Sequence, residues 1–175
     1  MRRVVPGPCP VCNAEIEYLY QTENIPFFSD ILLMTASCKC GYRLVDTIIL
    51  GAGDPVRYTL AVEDTEDLEV KVVRSTTGII EIPELGIKVE PGPICEAFIS
   101  NVEGVLYRFE SVVDRVLSWA EDEQRDRALA LKAKIDNARD LAFPFTLILE
   151  DPDGNSAIIS PKAVQEALVA EEMGE

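Results

Sequence analysis

Four cysteines in two tight pairs, Cys9-Pro10-Val11-Cys12 and Cys38-Lys39-Cys40-Gly41, constrain this chain more than any other feature. Two chelating hooks can converge on one tetrahedral metal ion. The 25 residues between the pairs are long enough for two paired strands and a connecting loop. This spacing predicts a zinc-ribbon-like finger over residues 1–46, with Cys9, Cys12, Cys38 and Cys40 holding one zinc ion that staples a segment too small for its own core. A CPxC hook also occurs in rubredoxin-like iron centres, and the second hook is one residue shorter than the usual CxxC. The alternatives to a metal are weaker. A disulfide framework needs an oxidising compartment, and Met1 to Pro10 has no apolar run that would export the chain. A thioredoxin-like redox centre needs no second cysteine pair. Cys95 follows Pro93-Ile94 in an apolar stretch and reads as a small buried residue.

With 175 residues, 47% of them hydrophobic, the chain can bury one good core and a small satellite module. No apolar run reaches the length of a membrane helix, so a soluble, cytoplasmic protein is expected. Charge is unevenly placed. Residues 1–50 carry four Lys/Arg against five Asp/Glu, and the remainder carries twelve against twenty-six. Phosphate backbones are bound by clustered cations, and Arg2, Arg3, Lys39 and Arg43 make at most a small patch beside a strongly acidic body. Nucleic acid is therefore not expected as a partner; a basic or amphoteric protein suits the charge better.

The chain has no histidine, which removes His-based triads, HExxH zinc proteases and the commonest general base at neutral pH. No phosphate-cradling glycine motif is present, and four thiolates leave zinc no open position for activating water. Paired carboxylates such as Glu81 with Glu84 and Asp151 with Asp153 are expected by chance among 31 acids. The expectation is a protein that is not an enzyme.

Ile16, Tyr18 and Tyr20 fall on one side of a strand, and residues 27–37 return to the second hook, which completes a hairpin. Gly51-Ala52-Gly53-Asp54-Pro55 has linker composition, so 47–55 is read as a linker and 56–175 as a second domain. That domain opens with short strands punctuated by Pro83 and the Pro91-Gly92-Pro93 cluster. Val105, Phe109, Val112, Val113, Val116, Leu117 and Ala120 then recur at helical spacing, as do Ala128, Leu131, Ile135, Ala138 and Ala142. They predict a helical hairpin over about 103–142. Phe145 to Leu149 reads as a strand, Asp151-Pro152-Asp153-Gly154-Asn155 as a reversing turn rather than a calcium loop, and Ala157 to Ile159 as the returning partner. Ser160 and Pro161 carry the signature of a final helix through about Met173.

The order CPVC, IPFF, a second hook ending CGYR, then VRYTL, IPELGIKV, NVEGVLYRF and PFTLILEDPDGNS resembles the ZPR-type zinc-finger family over roughly residues 9–160. Eukaryotic members carry two modules in tandem; this chain resembles the single-module archaeal form. The resemblance implies a mainly β fold with added α, in which the finger precedes a double-stranded β-helix (jelly-roll-like) domain bearing the helical hairpin. It also implies a partner, translation elongation factor one-alpha, a GTPase for which the protein would act as zinc-binding adaptor or folding cofactor. Ile25, Pro26, Phe27 and Phe28 are the candidate contact tip, since aromatic anchors dominate interface energy. The alternative is a zinc-ribbon regulator in transcription or RNA metabolism, which the charge disfavours.

Overall fold

The computed structural model describes residues 1–25, 29–92 and 95–168; the side chains of residues 25 and 29 are also outside the description. The chain divides into two compact units, Met1–Ala52 and Gly53–Glu175.

The first unit is a four-stranded antiparallel meander of β1 (Arg2–Pro8), β2 (Glu15–Ile25), β3 (Ser29–Ser37) and β4 (Arg43–Ile49), paired in that order. Strand β4 runs three residues into the segment that composition marks as linker. Strand β1 is invisible to pattern reading because Pro6, Gly7 and Pro8 interrupt it. An edge strand tolerates prolines, since an amide facing away from the sheet is not needed for pairing. Gly7 lets β2 come close: a Cβ there would lie 3.1 Å from the Tyr18 ring, whose hydroxyl donates to the Pro8 carbonyl at 2.9 Å. The core is minimal. Cys9, Ile16 and Ala36 are buried together, with Tyr18, Cys38, Tyr42 and Leu44 packed against them. The sheet leaves Val4, Val45 and Ile48 exposed, and Leu50, just after β4, is exposed as well.

The second unit has two sheets and a helical hairpin. Strands β5 (Val56–Val62), β6 (Lys71–Arg74), β7 (Ile79–Ile82), β8 (Ile87–Val89), β9 (Phe98–Asn101), β10 (Phe145–Asp151), β11 (Ala157–Ile159) and β12 (Val164–Ala167) all pair antiparallel. One sheet has the order β12-β5-β10-β7-β8 and the other β11-β6-β9. Strand β10 is central, which explains its nearly continuous apolar run of Phe145, Leu147, Ile148 and Leu149, all buried. Helices α2 (Val102–Leu117) and α3 (Asp122–Arg139) form the expected hairpin and bury Val105, Leu106, Phe109, Ile135 and Ala138 in the same core as the sheets. Asn101 caps α2 by accepting from the Gly104 amide at 2.8 Å, so Glu103-Gly104 belongs to the helix rather than to a turn that precedes it. The hairpin is shorter than its apolar stripes suggest. Val112 is exposed, and α3 ends before Ala142, where Leu141 takes a left-handed conformation. Across the pair, Glu110 accepts from Arg139 at 2.8 Å and sits 3.2 Å from the Lys132 ammonium.

Two expectations fail. Strand β11 does not pair with β10: β10 lies between β5 and β7, whereas β11 pairs with β6 in the other sheet. The intervening turn crosses between sheets because the buried Asp151 carboxylate organises it. That carboxylate accepts from the hydroxyls of Ser156 (2.5 Å), Ser75 (2.6 Å) and Thr77 (2.7 Å) and from the amides of Asp153 (2.9 Å) and Asn155 (3.1 Å). Gly154 is left-handed, and a Cβ there would lie 2.3 Å from the Asp54 carbonyl; the Gly53 amide donates to Asp153 at 2.6 Å. Gly53, read as linker slack, is thus packed against this turn. The final helix is also absent over the described residues. Ser160 opens a turn, with the Lys162 amide donating to its hydroxyl, and residues 164–167 pair with the edge of β5. A short helix that pattern reading missed, α1 (Thr65–Leu68), is held by a capping box between Asp64 and Asp67.

Candidate metal centre

Each hook is a tight turn that aims two thiols inward. In the first, the Cys9 amide donates to the Ala14 carbonyl (2.8 Å) and the Asn13 amide to the Cys9 carbonyl (2.9 Å). In the second, the Cys38 amide donates to Tyr42 (2.9 Å) and the Gly41 amide to Cys38 (3.0 Å). Both turns need a left-handed residue, supplied by Asn13 (φ 57°) and Gly41 (φ 96°). Asparagine and glycine are the residues that enter this region at least cost. Strands β1 and β2 flank the first hook and β3 and β4 the second, so the sheet register brings the hooks to one end.

There the four sulfurs lie within 4.8 Å of one another. Cys9 Sγ is 3.7 Å from Cys40 Sγ, and Cys12 Sγ is 3.6 Å from Cys38 Sγ. A tetrahedron with zinc–sulfur bonds of about 2.3 Å has edges of about 3.8 Å, so these distances fit a tetrathiolate zinc site. The shortened Cys38-Lys39-Cys40 hook reaches the same geometry because Gly41 turns the chain straight back. Cys9 is buried, Cys38 half-buried, and Cys12 and Cys40 exposed. Burial pushes the Cys9 thiol up, but the backbone amides of Cys12 and Val11 and the thiols of Cys40 and Cys12 outweigh it and lower its pKa to about 7. A thiol poised there is readily taken as thiolate by a metal ion. Zinc would hold Cys9, Cys12, Cys38 and Cys40 as one closed structural node. Cys95 lies in the second unit, outside this cluster, and is half-buried rather than fully buried.

One member of each carboxylate pair weighed as a catalytic candidate has structural work. Glu84 accepts from the amide and hydroxyl of Thr146 at 3.0 and 2.9 Å, and Asp151 is saturated by its five donors. Strand β2 ends at Ile25, but that side chain and the whole of Pro26, Phe27 and Phe28 lie outside the described residues. Sequence reasoning missed the Asp151 cluster, because two of its three hydroxyl partners, Ser75 and Thr77, sit about 75 residues away and no local pattern joins them.

Residues 3–47 match the family model of the ZPR1 zinc-finger domain, and residues 66–173 that of the ZPR1 jelly-roll domain. The chain is 40% identical to an uncharacterised ZPR1-like protein of Methanocaldococcus jannaschii, over 94% of this chain and 84% of that one. It is 38% identical to a second ZPR1-like protein, from Pyrococcus horikoshii, over 95% and 78% of the two chains. It is also 32% identical to the zinc finger chaperone zpr1 of Schizosaccharomyces pombe, over 82% of this chain but 33% of that longer protein.

Proposed function

The chain belongs to the ZPR1 family, with one zinc finger and one jelly-roll domain, and from that premise we propose that it is a non-enzymatic, zinc-binding adaptor or folding cofactor for translation elongation factor one-alpha. The observation that carries this reading is the finger itself. Its zinc node is closed, so the metal has no position for chemistry, and the single-layer sheet attached to it keeps Val4, Val45 and Ile48, with Leu50 just after β4, exposed where a partner could cover them. A fission-yeast relative is named a chaperone, and the partner is the one that the family resemblance implies. The acidic second unit would offer a client a second, electrostatically attractive surface. None of the described helices is long and apolar enough to cross a membrane. A translation-factor client would place the protein's action in the cytoplasm.

Immobilised elongation factor one-alpha, presented with the full-length zinc-loaded protein, tests the proposal. We expect saturable capture, lost on chelation of zinc. If Ile25-Pro26-Phe27-Phe28 forms the contact tip, Phe27→Ala and Phe28→Ala each weaken capture by about 1–4 kcal/mol without releasing zinc. Zinc-loaded variants that bind as the wild type does would move the contact off this tip. Failure of the wild-type protein to bind the factor in any nucleotide state would remove the proposed client. A salt-sensitive shift of RNA would favour the regulator reading instead.

A further inference from the structure

Seven arginines lie beyond Gly53. Four make contacts elsewhere: Arg57 with Glu150, Arg127 with Glu123, Arg139 with Glu110 and Asp136, and Arg125 with the Leu117 carbonyl. The other three, Arg74, Arg108 and Arg115, line one groove of about 470 Å3 between α2 and the strands β8 and β9. None of the three has a carboxylate within ion-pair distance among the described residues. Arg108 and Arg115 share one face of α2 with Val112, which is 54% exposed. The Arg108 guanidinium sits over the Phe98 ring, 4.1 Å from its centroid, and Arg74 approaches the same ring at 5.8 Å. Stacking fixes the plane of a guanidinium while leaving its edge donors free. Arg74 is 7% exposed and is anchored by its Nε, which donates to the Gly78 carbonyl at 2.8 Å. Glu90 and Glu96 also border the groove, and Glu90 lies 3.6 Å from the Lys88 ammonium.

Three gathered guanidiniums repel one another, and they do so here within a unit that carries fourteen more acids than bases. Pairing with a nearby acid would have relieved that repulsion. We propose that this groove binds a short acidic peptide segment of a protein partner. One or two of its carboxylates are held by Arg108 and Arg115 with Arg74 behind them, and an adjoining apolar side chain packs on Phe98 and Val112. Fork-shaped donors match carboxylates two-on-two, which makes the site selective for planar anions. The acidic surroundings repel long polyanions, which limits the segment to a short motif and disfavours nucleic acid. The site lies wholly within the second unit, so it stands whether or not the proposed client is correct.

The test uses the full-length, zinc-loaded protein and labelled short peptides in which acidic residues flank a Leu or Phe. Matched peptides carry Asn and Gln, or phosphoserine, in place of the acids. Fluorescence anisotropy should show binding of the acidic set alone, weakened by salt. The double variant Arg108→Gln with Arg115→Gln should weaken it by about tenfold or more, while Arg127→Gln, placed outside the groove, leaves it unchanged. Where the double variant melts earlier than the wild type, the single Arg115→Gln variant, whose exposed side chain supports no described contact, decides the matter. Equal affinity in the fully folded variants, or no binding by any acidic peptide, overturns the proposal. Preference for the phosphoserine set overturns the carboxylate assignment.

Discussion

The two units of this chain reach a folded state by opposite means. In the finger, three residues are buried as a cluster, one of them the zinc ligand Cys9; in the second unit, nineteen buried residues drawn from both sheets and both long helices form one core. A sheet with so little burial cannot offset the entropy of ordering its backbone, so the finger's stability is assigned to the metal node. The second unit has ample apolar burial and surrounds its buried Asp151 carboxylate with donors. Exposed apolar side chains are correspondingly tolerable on the finger, whose shape does not depend on hiding them.

Chelation is the hardest blow to this contrast and should have the largest effect. Structural zinc in finger peptides supplies about 10–16 kcal/mol of apparent binding energy at neutral pH. Its removal should disorder residues 1 to about 46 and leave the second unit folded. Hydrogen exchange resolved by peptide, with and without chelator, reads both outcomes at once. The contrast breaks if fresh protein holds less than half an equivalent of zinc while the finger remains protected, or if both units unfold together.

Acid should separate the units in the same direction. The finger loses zinc as its thiolates protonate. The second unit depends on carboxylates with lowered pKa. Burial pushes Asp151 up, but the hydroxyls of Ser156, Ser75 and Thr77 and the Asp153 amide pull it down further. A group whose folded pKa is depressed contributes fully above its unfolded value of about 3.9, and the contribution is lost as pH falls through the folded value. Zinc release should therefore precede loss of the jelly-roll as pH is lowered. Simultaneous loss would argue that one unit leans on the other.

Asp151→Ala should produce the next largest change, confined to the second unit. Five donors lose their acceptor, three of them hydroxyls, and the cost is about 3–5 kcal/mol. The jelly-roll melt should fall by roughly 2–8 °C per kcal/mol while zinc content stays at one equivalent. A loss below about 1 kcal/mol would show that water satisfies the orphaned groups and that Asp151 does not organise the crossing turn.

What the sequence made legible follows the same division. The hooks announce a metal node because thiolate chemistry demands short spacings, and Cys9, Cys12, Cys38 and Cys40 do converge. The helical hairpin shows in its period because Val105, Phe109, Ile135 and Ala138 face one core. Tertiary pairing is where local reading fails. Strand β11 follows a reversing turn yet pairs with β6, and Ser160 and Pro161 carry a helix-start signature yet residues 164–167 join the edge of β5. Strand β1 hides behind its prolines for the same reason, since only an edge position admits them. The groove arginines are legible only in three dimensions: 74 and 108 meet over a ring at 98 that no spacing rule connects to them.

The smallest effect is expected at the closing turn of the second unit, where Lys162 bridges to Asp67 at 2.7 Å and Asp64 at 3.1 Å. Asp67 is buried whereas Lys162 is half exposed, so solvent screens much of the attraction. Asp67 also keeps the amides of Glu63 and Asp64 as donors, at 3.1 and 3.3 Å, when the ammonium is gone. Lys162→Met should thus cost about 1 kcal/mol rather than the 3–5 of a stranded buried charge. Burial raises the Asp67 pKa, but Lys162 and the two amides lower it overall, and Asp67 in turn raises that of Lys162. The pair's contribution should therefore be constant between about pH 5 and 10. It should fade as pH drops through the lowered Asp67 value, and again as pH rises through the raised Lys162 value. Difference melts of variant and wild type across that range measure it directly. A cost above about 3 kcal/mol at pH 7, or one that persists undiminished at pH 2, would mean that the side chain of Lys162 matters through packing rather than charge.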